Sequence, residues 1–313
     1  GKVWTPPMHR VGTPLFAVPV LEGLIEKYGV RAVVTQPDKL VGREQKLSIP
    51  PVKEVAKKHN ILVLQPLKLK EEYEEILALE PDLIITCAYG QMVPDVILNY
   101  PKYGCINVHA SLLPKLRGGA PIHKAIIYGH HKTGITIMHM SSKMDAGDII
   151  TQSEVEITDT ETASSLHDKL KIVGRDLLLE TIPSIINKTA PRIKQIESEA
   201  TFALAIRREE EKIDFNKTKR EIYNQIRGLN SWPGAYFMFD NMIFKVWESE
   251  ISNNYFPDLF NGQVSAVYED GIGVKVYNGE IILKVIQPEG KRKMTAKEFI
   301  NGYKEKLVGR IFL

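Results

Sequence analysis

Hydrophobic positions in the first half of the chain follow two alternating periods. Runs rich in β-branched residues at 30–35, 82–88 and 105–109 read as buried parallel strands. Between them, residues 16–28, 51–59 and 70–79 space their apolar side chains by three and four, as helices with one buried face do, and Pro51 stands where a helix start accepts proline. The alternation predicts an α/β fold, a Rossmann-like doubly wound parallel sheet that binds ligands at the carboxyl ends of its strands. A longer helical pattern over 162–187, with Leu166, Leu170, Val173 and Leu177 as its stripe, closes this half. Residues 190–206 are polar and mixed, and read as a linker. From 207 the pattern changes to one helix over 218–229 and then short alternating strands at 235–239, 242–247, 262–267, 273–277 and 280–286, broken by Asn-Gly and Asp-Gly turns. That succession predicts a small OB-like β-barrel. The expected domains are therefore 1–189 and 207–313, joined by 190–206. Pro6-Pro7 cannot lie inside a central strand, so the first strand should be short or displaced.

Composition narrows the class. The 313 residues are 43% hydrophobic and 25% charged, which suits a soluble protein with two cores. No apolar run approaches the roughly 20 residues of a membrane span, and the N-terminal stretch lacks a signal-peptide core, so a cytoplasmic monomer without membrane contact is expected. The two cysteines, Cys87 and Cys105, lie in apolar runs, and neither His-Glu-x-x-His nor Cys-x-x-Cys occurs; no metal is expected. A net charge of +3 does not by itself mark a nucleic-acid binder. From Lys284 onward, however, eight basic residues face three acidic ones, and Lys291-Arg292-Lys293 forms a positive cluster suited to a phosphate backbone. A solvated tail would carry the same charge.

The candidate chemistry lies at the end of the run 105–109. Asn107 and His109, two residues apart in an extended segment, point to one face while Ile106 and Val108 point to the other. Asp145, in a turn after the apolar run 134–140, can join them. An amide that donates to an oxyanion, an imidazole that handles a proton or donates a second bond, and a carboxylate that fixes its tautomer suit acyl transfer. Taken alone, Asn107 and His109 read more often as satisfied buried polar groups at a strand end; the flanking sequence reverses that balance. Gly-x-Gly-x-x-Gly after the first strand, Gly-x-x-x-x-Gly-Lys-[Ser/Thr] and Gly-x-Ser-x-Gly are all absent, which removes the main support for dinucleotide, nucleoside-triphosphate and serine-nucleophile chemistry.

Over nearly its full length the chain resembles the methionyl-tRNA formyltransferases. The resemblance is carried by residues 12–17 (Gly-Thr-Pro-Leu-Phe-Ala), Gln36-Pro37-Asp38-Lys39 with Gly42-Arg43, Pro50-Pro51-Val52-Lys53, the block from Asn107 to Pro121, Asp145-Ala146-Gly147-Asp148, and the block from Ile226 to Ala235. It implies that residues 1–189 bind 10-formyltetrahydrofolate as formyl donor and that 207–313 bind the initiator methionyl-tRNA whose α-amine is formylated. Asn107, His109 and Asp145 would then be catalytic. Tyr89, Gly90, Gln91 and the turn Ser111, Leu112, Leu113, Pro114 would wall the folate pocket. Arg43, with Lys39 and Lys46 beside it and Lys291, Arg292 and Lys293 in the second domain, would hold tRNA. Glu44-Gln45 stand where basic or glycine residues are common, which dilutes the loop's positive charge. The rival readings are a formyltransferase acting on an amino-sugar nucleotide, which shares the trio but not the loop 36–43, and a non-catalytic folate- or tRNA-binding protein, which would have no need of an intact trio.

Overall fold

The computed structural model describes residues 2–5, 13–41, 45–87, 89 and 91–313. They divide into two compact units, the first from 1–121, 132–156 and 167–204, the second from 122–131, 157–166 and 205–313.

The first unit begins with β1 (Lys2–Thr5), α1 (Ala17–Tyr28), β2 (Ala32–Val34), a hairpin of β3 (Lys39–Val41) and β4 (Lys46–Ser48), α2 (Pro51–Lys58) and β5 (Leu62–Leu64). It continues through α3 (Glu74–Ala78), β6 (Leu83–Thr86), α4 (Asp95–Leu98) and β7 (Cys105–His109); α5 (Pro121–Ile127), which falls in the second unit from its second residue on, precedes β8 (Lys132–His139), β9 (Ile149–Glu156) and α6 (Ala163–Ile186), whose first four residues also fall in the second unit. Buried Ala17, Val20, Leu21 and Leu24 give α1 one apolar face, and Gly29, at φ 75°, ends it where a side chain would be strained. Pro51 opens α2, as its position suggests.

Seven strands form one sheet in the order β5-β2-β1-β6-β7-β8-β9. The first five run parallel, and the order reverses between β1 and β6, so the crevice of a doubly wound sheet opens at the carboxyl ends there. β1 is short, in keeping with the prolines that follow it: it pairs with both β2 and β6 at the centre of the sheet and ends at Thr5. One detail corrects the reading from sequence: the sheet is not parallel throughout, because β8 pairs antiparallel with β7 and with β9. Residues 140–148, which join β8 to β9, are too few for a parallel crossover. The stripe of α6 runs through Leu166, Leu170, Leu178 and Ile182, with Val173 and Leu177 at its margin. Gly174 lets it close on Val108 and Ile135, where a Cβ would already be tight.

The polar stretch 190–206 is no loose tether over its first part. Ile193 exchanges backbone hydrogen bonds with Ile149 (2.8 and 3.0 Å), and residues 201–203 exchange them with Pro114, Arg117 and Ala120. Composition hides this docking, because the bonds are made by backbone atoms.

The second unit contains α7 (Arg208–Glu211), α8 (Lys219–Gly228), β10 (Ala235–Phe239), β11 (Met242–Ser252), β12 (Val264–Tyr268), β13 (Gly271–Val276), β14 (Gly279–Pro288), β15 (Met294–Thr295) and α9 (Ala296–Gly302). Its antiparallel sheet has the order β10-β11-β14-β13-β12, with β15 on β14. The expected barrel is not closed by strand pairing: β10 and β12 are edges. The last residues of the chain bond to both edges instead. Leu313 and Met238 exchange hydrogen bonds of 2.8 and 2.9 Å, while Gly309, Arg310 and Phe312 bond to Val264 and Gly262. Phe237, Phe239, Phe244 and Phe312 fill the space between, with Phe237 and Phe312 stacked at 4.3 Å.

Candidate active site

Asn107 and His109 leave the carboxyl end of β7 on one face, as strand alternation requires, and both are buried. Thr86 lies directly opposite Asn107 across β6, and its hydroxyl donates to Asn107 Oδ1 at 2.7 Å. The amide is thereby oriented: its oxygen is held, and among the described residues no protein acceptor takes the Nδ2 protons. Thr86 is a supporting residue that sequence pattern did not single out; its signal is the register of two neighbouring strands.

His109 is held at both ends. Nε2 lies 2.9 Å from the carbonyl of Leu116, which can only accept, so Nε2 carries the proton and donates. Nδ1 then faces Asp145 Oδ1 at 3.7 Å, a charge-pair distance and not a hydrogen bond. This amends the expected division of labour, since a backbone carbonyl, and not the carboxylate, sets the tautomer. When the ring is neutral, the Nδ1 lone pair and Asp145 Oδ1 face one another across a gap that a proton would bridge.

Asp145 is placed by backbone. Its Oδ2 accepts from the Gly118 N–H at 2.8 Å, and its own φ of 54° is in the left-handed region. Gln195 Nε2 donates to the carbonyls of Asp145 and Gly147, both at 2.8 Å. A Cβ on Gly147 would lie 1.8 Å from the His139 carbonyl oxygen. Gly147→Ala is accordingly expected to destabilise the fold by about 1–3 kcal/mol and to lower activity by moving the Asp145 turn, which thermal denaturation and turnover measured on the same variant would show.

Arg117 is wholly buried beneath this turn. Its guanidinium donates twice to Gln195 Oε1 (2.9 and 3.1 Å) and makes a two-pronged pair with Glu197 (2.9 and 3.0 Å). Hydrogen bonds from Arg117 and then Lys143 pull the Glu197 carboxyl down to about 2. Because that group is depressed, its stabilising contribution is present at neutral pH and is lost as pH falls from the ordinary carboxylate range toward about 2.

The turn after His109 is stitched to β8 and β9. The Ser111 hydroxyl donates to Lys115 O at 2.6 Å, Leu113 packs on Met138 and Ile149, and Gln152 donates to Leu113 O. Ser111 is fully buried and its proton is already used. Tyr89, half-buried, packs against a cluster that includes Ile84, Ile97 and Cys105. Its hydroxyl has no partner among the described residues, and burial raises its pKa. Gly90 lies outside the described residues. Gln91 is anchored by Leu69 N–H (2.6 Å) and donates to Gln36 Oε1 (3.0 Å). Beside it is an open cavity of about 560 Å³, lined by Gln36, Leu67, Lys68, Lys70, Glu71, Gln91 and Met92. Gln36 is buried, yet its Nε2 has no partner among the described residues.

The residues expected to hold tRNA are spread over both units. Arg43 lies outside the described residues. Lys39 and Lys46 are exposed on the β3–β4 hairpin, where an irregular loop was expected. The hairpin's root is pinned by Asp38, whose carboxylate bonds to Lys53 and Gln65 (both 2.8 Å) and is held below its usual range chiefly by the Lys53 bond. In the second unit Arg292 pairs with Glu298 at 2.9 Å, and the Lys293 ammonium sits 3.9 Å from the centre of the Trp247 ring. The block from Ile226 to Ala235 proves architectural in its hydrogen bonds. Buried Arg227 donates to the carbonyls of Thr158 and Glu161, and Asn230 donates to Trp247 O. Among the described residues no group of three or more His, Cys, Asp or Glu side chains comes together as a metal site, and no helix is long and apolar enough to cross a membrane.

Asn107 and His109 thus stand at the carboxyl end of β7 in an open α/β sheet, Asp145 faces His109 from the connection 140–148, and comparison with known proteins gives the family. Residues 11–182 match the formyl transferase family and residues 205–304 match the formyl transferase C-terminal domain. The methionyl-tRNA formyltransferase of Bacillus cereus (strain B4264) is 55% identical over 302 residues, covering 95% of this chain and 96% of that protein. That of Geobacillus sp. (strain WCH70) is 52% identical, covering 93% of each. The chain belongs to the formyl transferase family, and within it to the methionyl-tRNA formyltransferases. Among solved structures, an N-formyltransferase from Helicobacter canadensis, in complex with folinic acid and dTDP-3-aminofucose, aligns with TM-score 0.65 at 23% identity over 90% of this chain and 97% of that one. HypX from Aquifex aeolicus, in complex with tetrahydrofolic acid, aligns with TM-score 0.65 at 13% identity over 99% of this chain and 48% of that one. These two share the fold.

Proposed function

We propose that the chain transfers the formyl group of 10-formyltetrahydrofolate to the α-amine of initiator methionyl-tRNA, in the cytoplasm and as a monomer. The observation that carries the mechanism is the Asn107 amide, whose protons no acceptor among the described residues takes, beside an imidazole and a carboxylate that face each other across 3.7 Å. The neutral amine attacks the formyl carbon, the carbonyl π pair moves onto oxygen, and Asn107 Nδ2 donates to the resulting oxyanion. The proton released by the amine passes, directly or through water, into the gap between His109 Nδ1 and Asp145. Collapse of the intermediate re-forms the carbonyl and expels N10 of tetrahydrofolate, which takes up a proton.

The donor's remaining length fits the neighbouring crevice. From β7 to β2 is three strand spacings, about 14 Å, and beyond β2 lies the cavity beside Gln91. An aromatic ring between Leu67 and Met92 and carboxylates near Lys68 and Lys70 would accommodate the aminobenzoyl-glutamyl arm of a folate. Tyr89 would border the pteridine. Ser111–Pro114 would act by bracing β8 and β9 under the pocket. In this reading residues 1–189 are the catalytic domain and 207–313 a mostly antiparallel β domain for tRNA. Lys39, Lys46, Lys291, Arg292 and Lys293 contribute basic surface.

The acceptor is decided by incubating the protein with 10-formyltetrahydrofolate and either methionyl-tRNA or an amino-sugar nucleotide. Formylation of the tRNA alone is expected; formylation of the sugar, or of neither, would overturn the reading. Arg43 gives a finer test. Arg43→Ala is expected to lower kcat/KM for methionyl-tRNA sharply while leaving formyl transfer to a small free amine unchanged, since only the macromolecular acceptor can use a guanidinium on that loop. Equal losses with both acceptors would assign Arg43 to the pocket itself.

A further inference from the structure

Gln195 makes four bonds that together determine which way its amide points. Oε1 accepts from Nε and Nη2 of Arg117, which have no acceptor capacity, and Nε2 donates to the carbonyls of Asp145 and Gly147, which have no protons to give. Reversing the amide would break all four. Arg117 is itself fixed: it is fully buried, its other bonds go to Glu197, and its backbone exchanges hydrogen bonds with Thr201 and Ala203. The next residue, Gly118, supplies the N–H that binds Asp145 Oδ2. The Asp145 side chain and the backbone of its turn are thus tied to Arg117 by two routes, one through the peptide that follows it and one through its guanidinium.

We propose that Gln195 is a positioning residue for formyl transfer, holding the left-handed Asp145 turn so that its carboxylate faces His109 Nδ1. This inference rests on the catalytic reading above. A side chain from the polar stretch 190–206 therefore helps build the catalytic centre. Without the two Nε2 bonds, Asp145 and Gly147 keep their carbonyls but lose the side-chain donor they share. The carboxylate's distance and angle to the imidazole then relax, and displacements of about 1 Å cost on the order of 10²-fold in rate.

Gln195→Glu in the full chain separates positioning from packing. It keeps an oxygen for Arg117 but sets a second carboxylate oxygen against the two carbonyls. Gln195→Met, of similar length, removes both sets of bonds and serves as the second variant. With 10-formyltetrahydrofolate and methionyl-tRNA, each is expected to lose about 10²-fold in kcat with KM for the folate unchanged. In an Asp145→Asn background the same substitutions should cost almost nothing further, because the group they position is already disabled. Full activity in both single variants, or losses that multiply in the double variants, would overturn the proposal. An Asp145→Asn protein with wild-type turnover would instead remove the reading beneath it.

Discussion

Asn107→Ala is expected to lower kcat by about 10²–10³-fold and to leave folate affinity nearly unchanged. The magnitude follows from what the amide does at each stage. In the proposed mechanism Nδ2 faces a carbonyl oxygen with little charge in the ground state; in the tetrahedral state that oxygen would carry a full negative charge in a buried setting, where a fixed donor is worth far more than in water. An interaction that grows between those two states appears in kcat and not in binding. Thr86→Val provides the internal control. It preserves shape, removes the hydroxyl that holds Asn107 Oδ1, and should produce a smaller loss in the same direction. Single-turnover rates and equilibrium binding of tetrahydrofolate, measured on both variants, would check this. A folate affinity that fell in step with kcat would move Asn107 from transition-state stabilisation to ground-state binding.

Much of this arrangement is legible in the amino-acid sequence, for identifiable reasons. Strand alternation is strictly two, so Asn107 and His109 have to share a face, and β7 and β10 fall at the residues their patterns indicate. Helical stripes locate α1, α2 and α8 for the same reason. What escapes the sequence depends on pairing between distant segments. A short apolar run looks alike in parallel and antiparallel company, which conceals the turning of β8 and β9. The partners that orient the site lie 21 residues from Asn107 in the case of Thr86 and 50 from Asp145 in the case of Gln195. Leu116 acts through its carbonyl, so no side chain announces it. The stretch 190–206 has apolar residues, but Ile193, Ile196, Phe202 and Leu204 are exposed and give no cue that its polar side chains clamp Arg117 and bond the Asp145 turn. The second sheet departs from expectation differently. Five strands are visible in the pattern, but the sheet stays open, and residues 309–313 bond its two edges through backbone atoms, for which alternation offers no cue.

Asp145→Asn should reduce turnover by about 10²–10⁴-fold, and its geometry makes the result unusually easy to interpret. The amide oxygen can still accept from Gly118 N–H, so the turn keeps its anchor. The tautomer of His109 is also kept, because Leu116 O continues to hold the Nε2 proton. The amide Nδ2 would now face the Nδ1 lone pair and donate to it, stabilising the neutral imidazole with no vacancy for another proton. What disappears is the negative charge and the acceptor for the proton that leaves the amine. If the carboxylate served only to orient the ring, this variant would remain near full speed, since the backbone carbonyl already performs that task. A deep loss of kcat with folate binding intact would therefore locate Asp145 in proton transfer. Raising the pH should recover part of the rate, because more of the attacking amine is then neutral at the outset and hydroxide can take the proton the carboxylate no longer accepts. A variant as slow at high pH as at neutral pH would place the missing charge in stabilising an imidazolium instead.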